Sequence, residues 1–246
     1  LNKSMRITRF YYKDVLETSS IVKLPLDLIH YVVKVLRLRP GNQIKLFNNN
    51  EGEFLGAIVS IDKDGISVCV DQQIREPTED SVRFHIAISI TKGERMDYAI
   101  QKSVELGVTS VSPLYSQFSE VKIKNKNHLE NKLRHWEKII LNTSQQCGRL
   151  SLPQVREPVS LPELIEESKV NTFILLDASG SKNLNGVKFE RDLCLVVGPE
   201  GGFSDEELKY ASKKAEIITL GPRTLRSETA PVVALSILQS KFGDLS

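Results

Sequence analysis

Cysteine is scarce in this chain. Its three cysteines, Cys69, Cys147 and Cys194, are odd in number, far apart and never in a CxxC pair. That excludes a disulfide framework and argues against structural zinc, and it suits a reducing cytoplasm, the expected location. The four histidines show no ligand spacing, so no metal centre is expected; His128 and His135, two turns apart on a helix, read as solvated. No apolar run approaches the roughly 18 residues that a membrane span needs, so no membrane partner is expected. The first residues lack the apolar core of a signal peptide. Residues 1–4 precede a methionine and are left out of the fold reading. An excess of one charge is missing too: Lys+Arg 33 against Asp+Glu 31 gives +2, so the total says little about nucleic acid. No internal repeat or low-complexity stretch appears. With 40% hydrophobic and 26% charged residues, what remains is an ordinary soluble globular protein of one large or two smaller domains.

The chain is organised around residues 193–230, LCLVVGPEGGFSDEELKYASKKAEIITLGPRTLRSETA. Residues 193–197 have the composition of a buried parallel strand. They break into Gly198-Pro199-Glu200-Gly201-Gly202, whose glycines permit positive φ and close approach of a ligand. Ser204 and Glu207 form a capping box that opens a helix. A second strand, 216–220, runs into Gly221-Pro222-Arg223-Thr224-Leu225-Arg226-Ser227-Glu228. Taken alone, the first loop is as readily a plain turn as a site. It is no P-loop, since no Lys-Ser/Thr follows, and no GxGxxG fingerprint. The second loop places two arginines and a glutamate just ahead of an almost uncharged helix, which suggests a site with a dry wall. In an α/β sheet such loops gather at the carboxyl ends of strands, where small ligands bind.

The rest of the chain supports two domains. Residues 5–74 read as a small β-rich unit with strands at 6–12, 43–47, 54–61 and 66–70, and a helix over 26–38. Residues 75–80 are polar and without pattern, a natural boundary. The second domain, 80–246, opens as strand 82–90, helix 96–106 and strand 108–115, a parallel crossover unit. A long helix over 128–147 carries Trp136 in its apolar stripe, read as core. A short helix at 161–168 precedes strand 172–177, whose end at Asp177-Ala178-Ser179-Gly180 supplies a third loop to the same sheet edge. Basic residues cluster: 1–39 carry eight Lys/Arg against three Asp/Glu, and 122–138 carry six against two. Beside a nucleotide-type loop, two such stretches tilt toward RNA, although either one alone reads more readily as a solvated face.

GPEGGFSDEE followed by LGPRTLRSETA resembles the bacterial 16S rRNA (uridine-N3) methyltransferase family (RsmE type) of the knotted SPOUT superfamily. The likeness runs from Met5 to about Gln239 and includes HYVVKVLRLRPGNQI, TKGERMDYAIQKSVELGV and QQCGR. It implies an α/β fold: a SPOUT-type trefoil-knotted methyltransferase domain with a mostly parallel sheet, preceded by a small PUA-like β-barrel. It implies a homodimer and, as partner, 16S rRNA or the small ribosomal subunit. The implied cofactor is S-adenosyl-L-methionine, held by Leu176, Gly198, Pro199, Glu200, Gly201, Gly202, Leu220, Gly221, Leu225, Arg226 and Ala230. RNA would meet Arg6, Arg9, Lys34, Arg37 and Arg39 of the barrel, with Lys92, Arg95, Gln146 and Arg149 from the second domain. Gln146 and Arg149 read equally as a helix cap and its surface arginine.

Methylating uridine N3 requires removal of a weakly acidic proton or stabilisation of the anion. Arg226 is the candidate for the anion, and Glu200 or Glu228 for the proton. Other readings are a knotted methyltransferase for a ribose 2′-hydroxyl or a tRNA base, and a non-catalytic RNA-binding assembly factor. A nucleotide-binding oxidoreductase lacks its glycine spacing.

Overall fold

The computed structural model describes residues 7–79, 81–119 and 121–245. These form two units, Leu1–Glu79 with Ser144–Leu152, and Asp80–Thr143 with Pro153–Ser246. Residues 144–152, expected in the second domain, group with the first.

In the first unit, β1 (Arg9–Tyr11), β2 (Ile21–Leu24), β3 (Gln43–Asn48), β4 (Gly52–Asp62) and β5 (Gly65–Arg75) pair in the order β1-β3-β4-β5-β2. The β1–β3 pair is parallel and the others antiparallel. Register shifts along β4 and β5 mark bulges, which bend long strands and curl the sheet round Phe10, Leu46, Ile58, Ile66 and Val68. The helix expected over 26–38 is shorter. Leu28–His30 (α1) runs into a π-helical turn at Tyr31–Val35, closed by Leu36 N–H to Tyr31 C=O at 2.9 Å, and Arg37 then turns left-handed at φ 56°. Val32, Val33 and Val35 crowd the turn, which disfavours a longer α-helix. β2 falls outside the expected strands, because its outward Ile21 breaks the usual alternation of apolar-in and polar-out.

The second unit runs β6 (Arg83–Ser89), α2 (Glu94–Glu105), β7 (Ser110–Tyr115), α3 (Lys126–Cys147), β8 (Gln154–Val155), β9 (Val159–Ser160), α4 (Leu161–Glu167) and β10 (Thr172–Leu176). It continues through β11 (Asp192–Val197), α5 (Asp205–Ala211), β12 (Ala215–Ile218) and α6 (Thr229–Phe242). The last turn of α3 falls in the first unit. Among the described residues the strands of this sheet pair in parallel, in the order β12-β10-β11-β6-β7-β8, with β9 also on β7.

Alternate residues of each central strand enter different cores. Ile86, Ile174, Leu193 and Leu195 join Met96, Trp136 and Leu235 under α2, α3 and α6. Ala87, Leu175, Cys194 and Val196 face Leu161, Leu164 and Ala211 under α4 and α5. Helices on both faces bury the interior residues of the central strands, which is why these strands read as continuous apolar runs. Burial pushes the Cys194 thiol up to about 12, which keeps it chemically inert.

Candidate cofactor and RNA site

Register fixes where the loops emerge. Leu176 of β10 lies opposite both Val197 of β11 and Ile218 of β12, and Val197 lies opposite Ile88 of β6. Strand ends thus form one row, and the loops after Leu176, Val197 and Ile218 leave from the same carboxyl edge. The loop convergence inferred from the sequence has a geometric basis here: parallel pairing without slip.

Close packing explains the glycines. Gly198 is buried, and a Cβ there would sit 3.0 Å from the Phe203 ring; at Gly201 it would sit 3.1 Å from the Phe118 Cβ. Gly202 has φ 73° and donates its N–H to Pro199 C=O at 3.0 Å, closing a tight turn. The capping box forms: Ser204 N–H reaches Glu207 Oε2 at 2.8 Å, and Glu207 N–H reaches Ser204 Oγ at 3.3 Å. Glu207 Oε1 also accepts the Gln117 N–H at 3.0 Å, tying the loop after β7 to the same rim. Gly221 takes φ 99° with nothing within 4 Å of an added Cβ, so its loop is open on that side.

Gly180 closes the third loop expected at this sheet edge, where the sequence assigns it no particular role. A Cβ on it would lie 2.6 Å from the Ile218 carbonyl carbon, so only glycine lets these two loops pass. Asp177 N–H also reaches Ile218 C=O at 3.1 Å, and Asp177 Oδ1 accepts from Ser179 N–H at 2.8 Å. The Asp-x-Ser-Gly spelling at the strand end was the available signal.

Leu176 is buried, Leu220 and Ala230 pack against the core beneath α6, and Leu225 is half-buried. Arg226 begins the turn into α6, its C=O accepting Thr229 N–H at 2.9 Å and Ala230 N–H at 3.0 Å. Its side chain is 78% exposed and stands 4.0 Å from Glu228 Oε1, whereas Glu228 is 16% exposed. Ser227 Oγ donates to Glu228 Oε2 at 3.2 Å. Arg226 and Glu228 are therefore neighbours, one in solvent and one half withdrawn.

The other proton-acceptor candidate is differently placed. Glu200 is engaged by Arg95 of α2 in a salt bridge. Arg95, expected at RNA, and Glu200, expected at chemistry, face each other. Lys92 is exposed near the start of α2.

In the first unit Lys34, Arg37 and Arg39 are exposed around the end of the helical turn, with Arg37 in the left-handed region. Arg6 lies outside the described residues. Arg9 differs from the expectation of a phosphate contact: its side chain is 11% exposed, pairs with buried Glu53 and covers the Phe47 ring at 4.2 Å. Gln146 is exposed just before the end of α3, and Arg149 donates from Nη2 to Ser151 Oγ at 3.3 Å. The glutamine that touches the barrel is the preceding one: Gln145 Oε1 accepts the Tyr11 N–H at 3.1 Å.

The family described as RNA methyltransferase domain matches residues 78–239, and the RNA methyltransferase PUA domain family matches residues 25–69. Ribosomal RNA small subunit methyltransferase E of Buchnera aphidicola subsp. Schizaphis graminum is 35% identical over 245 residues, covering 98% of this chain and 99% of that protein. The chain belongs to the ribosomal RNA small subunit methyltransferase E family. Its relatives in this family include the Bacillus subtilis protein, 27% identical and covering 92% of each chain. Among solved structures, a Legionella pneumophila methyltransferase in complex with the bound cofactor SAM superposes with TM-score 0.90 at 35% identity, covering 96% of this chain and 98% of that one. The Neisseria gonorrhoeae family member, bound to S-adenosyl methionine, gives TM-score 0.89 at 29% identity, covering 98% and 100%. Membership makes this chain an RNA methyltransferase enzyme with an appended PUA domain.

The residues at the carboxyl edge fit that cofactor class. An adenosine needs apolar cover and main-chain groups that can approach closely. Leu176, Leu220 and Leu225 offer the first, and the turns at Gly202 and Gly221 offer the second.

Proposed function

We propose that this protein uses S-adenosylmethionine to methylate N3 of a uridine in the 16S rRNA of the small ribosomal subunit. The observation that carries this reading is the shared register of Leu176, Val197 and Ile218, which sends the three cofactor-type loops out from one edge beside Arg226 and Glu228. When bound, the cofactor supplies an activated methyl group, so the chain's own residues have to orient the uridine and manage its N3 proton.

Leu176, residues 198–202, Leu220, Gly221, Leu225 and Ala230 hold the cofactor in this reading. The Arg226 guanidinium stabilises negative charge developing on uridine O2 or O4. Glu228 takes the N3 proton, and its geometry favours it over Glu200: the Glu200 carboxylate is already committed to the Arg95 charge, while Glu228 accepts the neutral Ser227 hydroxyl and stands 4.0 Å from Arg226. Lys34, Arg37 and Arg39, with Lys92, Arg95, Gln146 and Arg149, contact the RNA.

The same reading carries a trefoil passage of the final segment and a homodimer built on α6, whose Ile237 is exposed and whose Val232 and Val233 are half-buried. Among the described residues no helix is long and apolar enough to cross a membrane; we place the enzyme in the cytoplasm, where its RNA is.

Mass-spectrometric mapping of 16S rRNA from a deletion strain tests the acceptor. One uridine should lose its N3-methyl group and regain it when purified enzyme and S-adenosylmethionine are added. Loss of a ribose methyl group, or of a tRNA methyl group instead, rejects the proposal.

A further inference from the structure

Arg9 carries more polar contacts than a surface arginine needs. Its Nε donates to Glu53, which is 1% exposed and also lies 3.5 Å from Lys45 Nζ. Its Nη1 donates to Ser144 C=O at 2.9 Å and Gln145 C=O at 3.1 Å, and its Nη2 to Arg149 C=O at 2.8 Å. Both donors of Nη1, one of Nη2 and Nε are thus committed, so the fork cannot also grip a phosphate bidentately. What it grips is the end of α3 and the turn beyond, where Gly148 takes φ 88°.

We infer that Arg9 is a positioning residue for RNA binding: it fixes the turn 145–149 on the first unit so that Gln146 and Arg149 are presented as part of that unit's RNA surface. The inference rests on the proposed reading of Gln146 and Arg149 as RNA contacts. Three observations support it. The carbonyls that end a helix carry partial negative charge, and a guanidinium is matched to several of them at once where an ammonium is not. The turn is held by other first-unit groups as well: Tyr11 N–H to Gln145 Oε1 at 3.1 Å, Arg75 Nη1 to Gly148 C=O at 2.9 Å, and Asn49 Oδ1 accepting Leu152 N–H at 3.0 Å. Residues 144–152 group with the barrel and not with the sheet that precedes and follows them in sequence. A buried ion pair is a weak source of net stability compared with apolar packing, so its geometry is the better reason for its presence.

The test uses the full-length enzyme with small ribosomal subunits from a deletion strain as substrate. KM for the subunit, kcat, calorimetric affinity for S-adenosylmethionine and Tm are measured for Arg9→Met, Arg149→Ala, the double variant and Arg75→Met. Arg149→Ala should raise KM about tenfold, and Arg9→Met should do the same with kcat and cofactor affinity within about twofold of the parent. The double variant should be no worse than about twofold beyond Arg149→Ala, because both changes remove the same contact. Arg75→Met, at an exposed position, should raise KM about threefold and also be non-additive with Arg149→Ala. If Arg149→Ala leaves KM unchanged, the turn is not an RNA contact and the underlying reading fails first. If Arg149→Ala raises KM while a folded Arg9→Met does not, or while the two effects multiply, the positioning role is overturned. Should Arg9→Met fail to fold, an unchanged KM in Arg75→Met overturns it equally.

Discussion

The two ends of the parallel sheet are built from the same strands and solve opposite problems. At the amino end, register puts Arg83 opposite Asp192 and His85 opposite Ser110. Their side chains close on one another: Arg83 Nη2 to Asp192 Oδ2 at 2.7 Å, His85 Nε2 to Asp192 Oδ1 at 3.0 Å, and His85 Nδ1 to Ser110 Oγ at 2.8 Å. A neutral imidazole with its proton on Nε2 satisfies both partners, donating to Asp192 and accepting from Ser110. At the carboxyl end the chain relies on glycine turns, and Arg226, the proposed anion-stabilising cation, stands in solvent. Polar side chains spent on each other stabilise a fold, and those left facing outward are available to a ligand. Substitutions should therefore separate activity from stability according to the end they strike.

The sharpest separation comes from Arg226→Ala. Removing one group that stabilises developing charge costs about 100- to 1,000-fold in rate, and single-turnover methylation should fall by that order. Tm should stay put, since a side chain this exposed holds little of the fold together. A rate within twofold of the parent would break the assignment of the carboxyl end as the chemical one. Asp192→Ala is the converse. It leaves a mostly buried imidazole without its acceptor and removes the Arg83–Asp192 ion pair, costing about 2 kcal/mol and lowering Tm by roughly 4–8 °C for a unit of this size. Single-turnover rate at a temperature where the variant is folded should match the parent, and a selective loss of rate would show that the two ends are coupled. Gly221→Ala comes next. Its φ of 99° strains any Cβ although space is open, so the cost is about 1 kcal/mol, read as roughly fivefold weaker binding of S-adenosylmethionine by calorimetry.

The carboxyl end was far more legible in the sequence than the amino end. Glycines, prolines and a Ser-x-x-Glu box state backbone geometry locally, so the turn at 198–202 and the start of α5 could be read within a few residues of their bounds. Strand interiors such as 193–197 were legible because helices bury both faces. Pairings across the chain left no local trace. Arg9 meets the end of α3 some 135 residues on, Arg95 meets Glu200 105 residues on, and His85 meets Asp192 107 residues on. An arginine near a basic N-terminal stretch looks the same whether it will touch phosphate or a carbonyl. The two-residue strands β8 and β9 were likewise invisible, since pairing with β7 alone defines them.

The smallest expected effect tests the amino end through pH. Burial lowers the His85 pKa, with Arg156 and Arg83 adding to the shift, while Asp192 opposes it by hydrogen bond and charge. The folded protein therefore binds this proton less readily than the unfolded chain does. Stability is unaffected well above the ordinary histidine value of 6.5, falls as pH drops through it, and levels off once the folded imidazole is itself protonated. Asp192 behaves as a paired carboxylate: the Arg83 hydrogen bond holds it below its ordinary 3.8, so its contribution persists through this window and is lost only in stronger acid. Thermal melts between about pH 7.5 and 5 should thus show Tm falling with acidity, and His85→Gln should flatten that slope without touching the single-turnover rate at neutral pH. A slope that survives the substitution would mean the closed network at the amino end is not what senses the proton, and would weaken the contrast between the two ends at its most quantitative point.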